Sequence, residues 1–313
     1  MNYAVIDLGS NSVRLSVYEY TGDQIRRIFN QKEMAGLAGY ISNGILNMTG
    51  IGKACEVIND FKETAFKFVE SSDLYLFATA AIRNIKNRDE TVAAIIEETG
   101  VIPNVLDGNE EAALSFIGAS RFTDCENGVM IDIGGASTEL VLFRDHGAIN
   151  SISLPIGCLN LSIEYVSKIV PKESEWEKIE AAVEAQFAKV CWDKDPHCPL
   201  MVGVGGTLRA VLKLSAAIYG LPIKDNEIKP RYVKEIIRLL KGNKNGIYHE
   251  IYQITPERLM TISAGLIILQ QAIKKFKCET ITVSKFGVRE GYLIERVLNA
   301  DERYVISNGI EES

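Results

Sequence analysis

The sequence predicts an α/β protein of two similarly built domains. Three observations lead there: each half opens with antiparallel strands and then alternates strands with helices, a long-period repeat begins both halves, and 313 residues suffice for two cores. Hydrophobic residues make up 47% and charged residues 24%, ordinary globular usage that excludes disordered, fibrous and collagen-like chains. Lys and Arg number 34 against 41 Asp and Glu, a formal charge of −7, so no overall basic field recruits nucleic acid. The longest apolar stretch, near 262–272, is interrupted by Ser263, Gly265, Gln270 and Gln271 and is too short for a bilayer. The opening MNYAVIDLG lacks the basic segment of a signal peptide, and six cysteines are too sparse for a disulfide scaffold. These features predict a soluble, reduced, cytoplasmic protein without membrane or nucleic-acid partners.

The elements follow from periodicity. Residues 3–8 form an apolar strand closed by Gly9, residues 13–20 alternate as a second strand, and 24–31 supply a third. A helix near 50–70 carries Ile51, Ala54, Val57, Ile58, Phe61, Ala65 and Phe68 at helical spacing. A strand at 74–79, a helix at 89–99, a short strand near 104–106 and a helix at 109–120 complete the first half. The second half repeats the opening with strands at 128–135, 137–143 and 147–154. Helices at 173–190, 207–219, 231–241, 256–275 and 288–298 follow, with strands at 200–206 and 279–284 among them. The apolar helix at 256–275 reads as core or as the seam of a homodimer. The polar segment 123–127 marks the boundary, giving domains 1–124 and 125–313, with the last helix available to pack back on the first domain.

The repeat carries the chemistry. Asp7-Leu-Gly-Ser-Asn-Ser-Val-Arg-Leu-Ser-Val-Tyr18 aligns with Asp132-Ile-Gly-Gly-Ala-Ser-Thr-Glu-Leu-Val-Leu-Phe143, and Asp, Gly, Ser and Leu coincide. Each turn places backbone N–H groups of small residues at a strand end, where they converge on an anion. Glycine keeps a β-carbon from holding a phosphate oxygen off those amides. Asp7 and Asp132 sit beside the turns, and a carboxylate next to a bound anion calls for a cation between them, with Mg²⁺ the natural choice. Glu139, on the strand after the second turn, is a further candidate ligand. One such Asp alone reads as a turn cap; the pair in register points to a site.

A third cluster, Gly203-Val-Gly-Gly-Thr-Leu-Arg209, joins a strand to a helix and offers a helix N-terminus to an anion. It is neither the dinucleotide fingerprint nor a P-loop. Glu110 and Glu111 open a helix after Asp107-Gly108-Asn109, where the macrodipole favours acids whether or not they are catalytic. Arg83, with Lys86 and Arg88 close behind, follows a buried strand at the end where open α/β sheets bind ligands. Cys191, His197 and Cys198 lack zinc-ribbon spacing and read as plain thiols beside a histidine. No GxSxG elbow or HExxH motif is present, so water attack assisted by a carboxylate and a metal is the remaining hydrolytic option.

Taken together, AVIDLGSNSVRL, FATAAIRNIKNRDE, DGNEEAALSFIGA, VMIDIGGASTELVLF, LPIGCLNLS, VGVGGTLRAV and SKFGVREGYL, in this order from residue 4 to residue 293, resemble the exopolyphosphatase/guanosine pentaphosphate phosphohydrolase family of the actin-like ATPase superfamily. The resemblance implies two ribonuclease H-like domains, each with a mixed five-stranded sheet flanked by helices, and an interdomain cleft. It places Glu111 on the family's catalytic glutamate, Arg83 on a phosphate-contacting arginine, and Asp132 and Glu139 on carboxylates associated with Mg²⁺, which Asp7 joins as a metal candidate from its place beside the first turn. It places Gly9, Ser10, Asn11, Ser12 and Gly134, Gly135, Ala136, Ser137 on paired phosphate loops, with Gly205, Gly206 and Thr207 on a third.

Two departures stand out. Ala136 replaces a glycine of the usual second loop, adding one methyl group. Long members carry a C-terminal helical extension related to HD phosphohydrolases; this sequence runs to residue 313 without a His-Asp dipeptide and resembles the short, two-domain members. The resemblance implies Mg²⁺-dependent release of terminal phosphate from inorganic polyphosphate. Guanosine pentaphosphate is the alternative substrate, and a non-catalytic sensor of guanosine phosphates or polyphosphate is the alternative of another class.

Overall fold

The structure, a computed structural model, describes residues 1–22, 24–121, 125–192, 197–222, 226–243 and 246–298, and the backbone of 305–308. The chain divides into two compact units, Met1–Arg121 with Arg289–Ser313, and Phe122–Val288. The second unit therefore ends at Val288, and the chain from Arg289 belongs to the first.

In the first unit β1 (Asn2–Leu8), β2 (Val13–Tyr20) and β3 (Gln24–Glu33) form an antiparallel meander. A two-stranded hairpin, β4 (Ile41–Ser42) and β5 (Ile45–Leu46), precedes helix α1 (Met48–Ala65). Then come β6 (Leu74–Ala78), α2 (Ala80–Arg83), α3 (Arg88–Thr99), β7 (Pro103–Val105) and α4 (Gly108–Ser120). β6 lies parallel to β1, and β7 parallel to β6. Strand alternation sets the two faces. Ala4, Ile6, Leu8, Val13, Leu15 and Val17 are buried with Ala54, Val57, Ile58 and Phe61 of α1 in one apolar cluster. The opposite face carries Asp7, Arg14, Ser16 and Tyr18. α1 ends at Ala65, five residues short of the expected 70, and Phe68 instead packs against Phe29 of β3, its ring tilted at 33° with centroids 5.1 Å apart.

The second unit repeats this plan. β8 (Gly128–Ile133), β9 (Thr138–Arg144) and β10 (Gly147–Leu154) form the meander. α5 (Cys158–Tyr165), α6 (Glu173–Phe187), β11 (Leu200–Val204) and α7 (Gly205–Tyr219) follow. β12 (Glu227–Ile228), α8 (Pro230–Lys241), α9 (Ile247–Ile254), α10 (Ile262–Phe276) and β13 (Thr280–Val283) complete the unit. β11 runs parallel to β8, and β13 parallel to β11. The order third–second–first–fourth–fifth strand is thus the same in both sheets. The registers match as well: Asp7–Arg14 and Leu8–Val13 recur as Asp132–Glu139 and Ile133–Thr138. The sequence repeat is a structural repeat.

Each sheet has six strands among the described residues, where five were expected. The additional edge strands are β12, and β14 (Val305–Asn308), which pairs in parallel with β3. Segments of two and four residues are too short to show alternation. The expected helix at 256–275 is a 3₁₀ turn, Pro256–Arg258, followed by α10. Ile262, Ala264, Leu266, Ile268, Leu269, Ala272 and Phe276 of α10 are buried in the unit's own core, so the apolar stripe is core. α11 (Val288–Tyr292), which passes into a π-turn at Leu293–Val297, belongs with the first unit from Arg289 on. A β-carbon on its Gly291 would collide with the Leu114 backbone, so glycine lets α11 and α4 touch.

Candidate active site

In the first unit the parallel strands β6 and β7 bring their carboxyl ends side by side, and the segments leaving them carry the predicted pair. Arg83 closes α2 just past β6, and Glu111 lies in the first turn of α4 just past β7. Glu111 is buried, and its Oε2 accepts a hydrogen bond from Arg83 Nη1 at 2.6 Å; the same nitrogen donates to the Leu106 carbonyl at 3.1 Å. Glu110 has another task. Its Oε2 accepts from the Asp107 amide at 2.9 Å, while Asp107 Oδ1 accepts from the amides of Asn109 and Glu110 at 2.8 Å, a capping box. The cap holds the helix start, which turns Glu111 inward toward Arg83.

The Gly9–Ser12 turn links β1 to β2. A β-carbon on Gly9 would lie 2.9 Å from the Ser12 carbonyl oxygen, too close for any other residue. The turn is tied down by Gly36 N–H to Asn11 O at 2.9 Å and Ala38 N–H to Ser10 O at 3.0 Å. Asp7, two residues before Gly9, has Arg289 Nε 3.8 Å from its Oδ2.

In the second unit the equivalent turn is closed by Gly134 N–H donating to Ser137 O at 3.0 Å. It is braced by the start of α5. Cys158 N–H donates to Gly134 O, and Leu159 and Asn160 N–H both donate to Gly135 O, at 2.8–3.0 Å. Asn160 Nδ2 donates to Ala136 O at 3.2 Å, and its Oδ1 accepts from Gly157 N–H at 2.7 Å. A β-carbon on Gly157 would strike the Gly135–Ala136 peptide. The methyl of Ala136 therefore sits in a turn whose path is set by backbone contacts.

Asp132 and Glu139 stand directly opposite across β8 and β9 and so share a face. Glu139 is buried and accepts from Ser153 Oγ at 2.8 Å. The third cluster reaches the same place. α7 starts at Gly205, two residues before the expected 207, because Gly205 at φ 92° turns the chain sharply out of β11. A β-carbon there would lie 2.6 Å from Asp132 Oδ1, so the missing side chain leaves room for that carboxylate. Thr207 is buried and its hydroxyl donates to Ile133 O at 3.4 Å.

Among the described residues no group of three His, Cys, Asp or Glu side chains could hold a metal. Mg²⁺ does not require one, since it is commonly bound by one or two carboxylates together with substrate phosphates. The adjacent carboxylates of Asp132 and Glu139, with the space kept open by Gly205, fit such an ion. His197 lies 3.6 Å from Glu279, Cys191 is exposed, and Cys198 is buried against Arg144. These three residues form no metal cluster.

Three contributors escaped the sequence reading. Gly157 and Asn160 brace the second turn. Arg258, nine-tenths buried, lays its guanidinium against Gly206 where a β-carbon would be. Among the described residues its only hydrogen-bond contact is Cys158 Sγ, 3.8 Å from Nη1. Gly157 and Asn160 lie in the motif LPIGCLNLS, which carried a signal without a role; Arg258 had none.

The profile of the Ppx/GppA phosphatase family matches residues 16–300. The chain belongs to that family. Two relatives are proteins named exopolyphosphatase 1. That of Mycobacterium leprae is 24% identical over 322 aligned positions, covering 100% of this chain and 95% of the relative. That of Mycobacterium tuberculosis is 24% identical over 305, covering 95% and 88%. The crystal structure of the Aquifex aeolicus Ppx/GppA family member is 25% identical with a TM-score of 0.78, covering 96% of this chain and 99% of that one. An exopolyphosphatase from Cytophaga hutchinsonii, 18% identical, shares the fold with a TM-score of 0.83, covering 97% and 100%. The Ppx/GppA fold, two mixed sheets flanked by helices, is thus the fold of this chain. Among the described residues no helix is long and apolar enough to cross a membrane.

Proposed function

We propose that this Ppx/GppA member is an exopolyphosphatase that hydrolyses the terminal phosphate of inorganic polyphosphate in an Mg²⁺-dependent reaction. The observation that carries this reading is the buried Glu111–Arg83 pair at 2.6 Å. A carboxylate held in place by the Arg83 guanidinium accepts a hydrogen bond from water and aims its oxygen. Arg83, beside it, offers its remaining N–H groups to the transferring phosphoryl group. In each unit the turn, Gly9–Ser12 or Gly134–Ser137, offers its amides to phosphate groups, and in the second unit the α7 N-terminus at Gly205–Thr207 adds further donors. Asp132 and Glu139, with Asp7, would hold Mg²⁺, which when bound offsets phosphate charge. The proton taken from the attacking water passes to Glu111 Oε1 or Oε2, and the shortened polyphosphate leaves as the anion.

Guanosine pentaphosphate, cleaved at its 5′ end, is the second reading. The observation in its favour is Arg258, a buried guanidinium that meets no carboxylate among the described residues and borders the third loop. Incubating the purified protein with Mg²⁺ and both substrates at equal phosphoanhydride concentration tests the choice. Orthophosphate released chiefly from polyphosphate supports the first reading, and release chiefly from the nucleotide supports the second. Binding of either without release would identify a sensor.

A further inference from the structure

The chain leaving β6 carries a hydroxyl to the side of the first turn. Leu8 and Ala78 are partners in the parallel ladder of β1 and β6, so the residues that follow them, Gly9 and Thr79, are neighbours. The Thr79 amide donates to the Leu8 carbonyl at 3.3 Å. Its own carbonyl accepts from the amides of Ile82 at 3.0 Å and Arg83 at 2.9 Å. One short stretch thus ties Thr79 to the start of the Gly9–Ser12 turn and to the arginine of the Arg83–Glu111 pair.

Threonine just ahead of a helix ordinarily gives its side-chain oxygen to the first helical amides. Thr79 does not: at φ −110° and ψ −145° its side chain makes no cap bond to α2. The residue is 7% exposed, and its hydroxyl has no hydrogen-bond partner among the described residues. Nor is that oxygen sealed in the core, for the buried and unpaired side-chain atoms of the described residues belong to Thr91, Trp176, Ser215 and Tyr219. A buried residue therefore keeps one polar atom open, beside the turn. The second unit sets a donor at the corresponding step. Asp7 pairs with Phe77 and Asp132 with Val204, so Thr79 answers to Gly206, whose side-chain space holds the Arg258 guanidinium.

We infer that the Thr79 hydroxyl donates a hydrogen bond to a phosphate oxygen seated at the Gly9–Ser12 turn, and so contributes to the affinity for condensed phosphate rather than to the proton transfer at Glu111. A hydroxyl bonded to a charged oxygen makes a short, strong contact, and an ionised phosphate offers only acceptors to it. The inference rests on the phosphate-binding reading above and adds a side-chain donor to the turn's amides.

The test is steady-state release of orthophosphate from tripolyphosphate with Mg²⁺, with KM and kcat measured separately. Thr79→Val keeps the branched shape and removes the hydroxyl; KM rises about tenfold or more while kcat stays within about threefold. Thr79→Ser keeps the hydroxyl and loses the methyl, and its KM stays within about twofold of wild type. A merely structural role, the packing of the methyl, predicts the reverse order, with Val near wild type and Ser impaired, and that result overturns the inference. If Thr79→Val does not fold, Thr79→Ser against Thr79→Ala decides, because the two differ by the hydroxyl alone. A KM about tenfold higher for Ala than for Ser supports the inference, and equal values overturn it. An active wild type whose KM is unchanged in Thr79→Val overturns only this inference. Wild type that releases no orthophosphate from tripolyphosphate or from longer chains overturns the functional reading itself.

Discussion

Replacing Glu111 by Gln separates chemistry from architecture. Glutamine keeps a carbonyl oxygen at the position of Oε2, so Arg83 Nη1 retains an acceptor where the ion pair now measures 2.6 Å. A charge-assisted hydrogen bond becomes a neutral one, a loss of about 1 kcal/mol, and neither partner is left buried without a bond. For a unit of this size that shifts the melting temperature by roughly 3–6 °C. Removing a general base slows proton transfer by about 10²–10⁴-fold, or about 3–5 kcal/mol in the barrier. The two effects therefore differ enough to be told apart. Orthophosphate release from polyphosphate, followed well below the melting transition with folding checked by circular dichroism, gives both numbers. The expected result is a near-native melt with turnover down at least about a hundredfold. Turnover within about threefold of wild type would remove Glu111 from the reaction and with it the argument from the Arg83 pair.

Two glycine substitutions probe the second unit. Gly205→Ala forces a side chain onto φ 92° and brings its β-carbon within 2.6 Å of Asp132 Oδ1. It should cost about 1–3 kcal/mol in thermal unfolding and raise the Mg²⁺ concentration needed for half-maximal phosphate release, since the displaced carboxylate is a proposed ligand. Gly157→Ala drives a methyl into the Gly135–Ala136 peptide, which has no rotamer to yield. A destabilisation above about 3 kcal/mol in urea unfolding is expected, with activity lost in proportion; a neutral effect would show that the second turn can move.

The features legible in the sequence were those written locally. Turn chemistry and alternation around Asp7 and Asp132 exposed the duplicated hairpin, and the register Asp7–Arg14 against Asp132–Glu139 shows the repeat extends to strand pairing. Only the resemblance singles out Glu111 as a candidate, since spacing alone does not distinguish it from Glu110. The structure separates them through the Asp107 cap, which engages Glu110. What stayed hidden depends on contacts distant in sequence. Arg258 meets Gly206 and Cys158, Arg289 meets Asp7 and Asn30, and Gly157 meets Gly135, none of which leaves a periodic trace. The helix limits moved for related reasons: Gly205 opens α7 early through its positive φ, and the two-residue strand β12 exists only because β13 offers it an edge.

The most direct test of the account is orthophosphate release from polyphosphates of defined length, measured with Mg²⁺ and again after chelation. Terminal phosphate should be released stepwise, with release stopping when the metal is removed and resuming when it is restored. Undiminished release under chelation, or none in either condition from a protein that is folded, would contradict it.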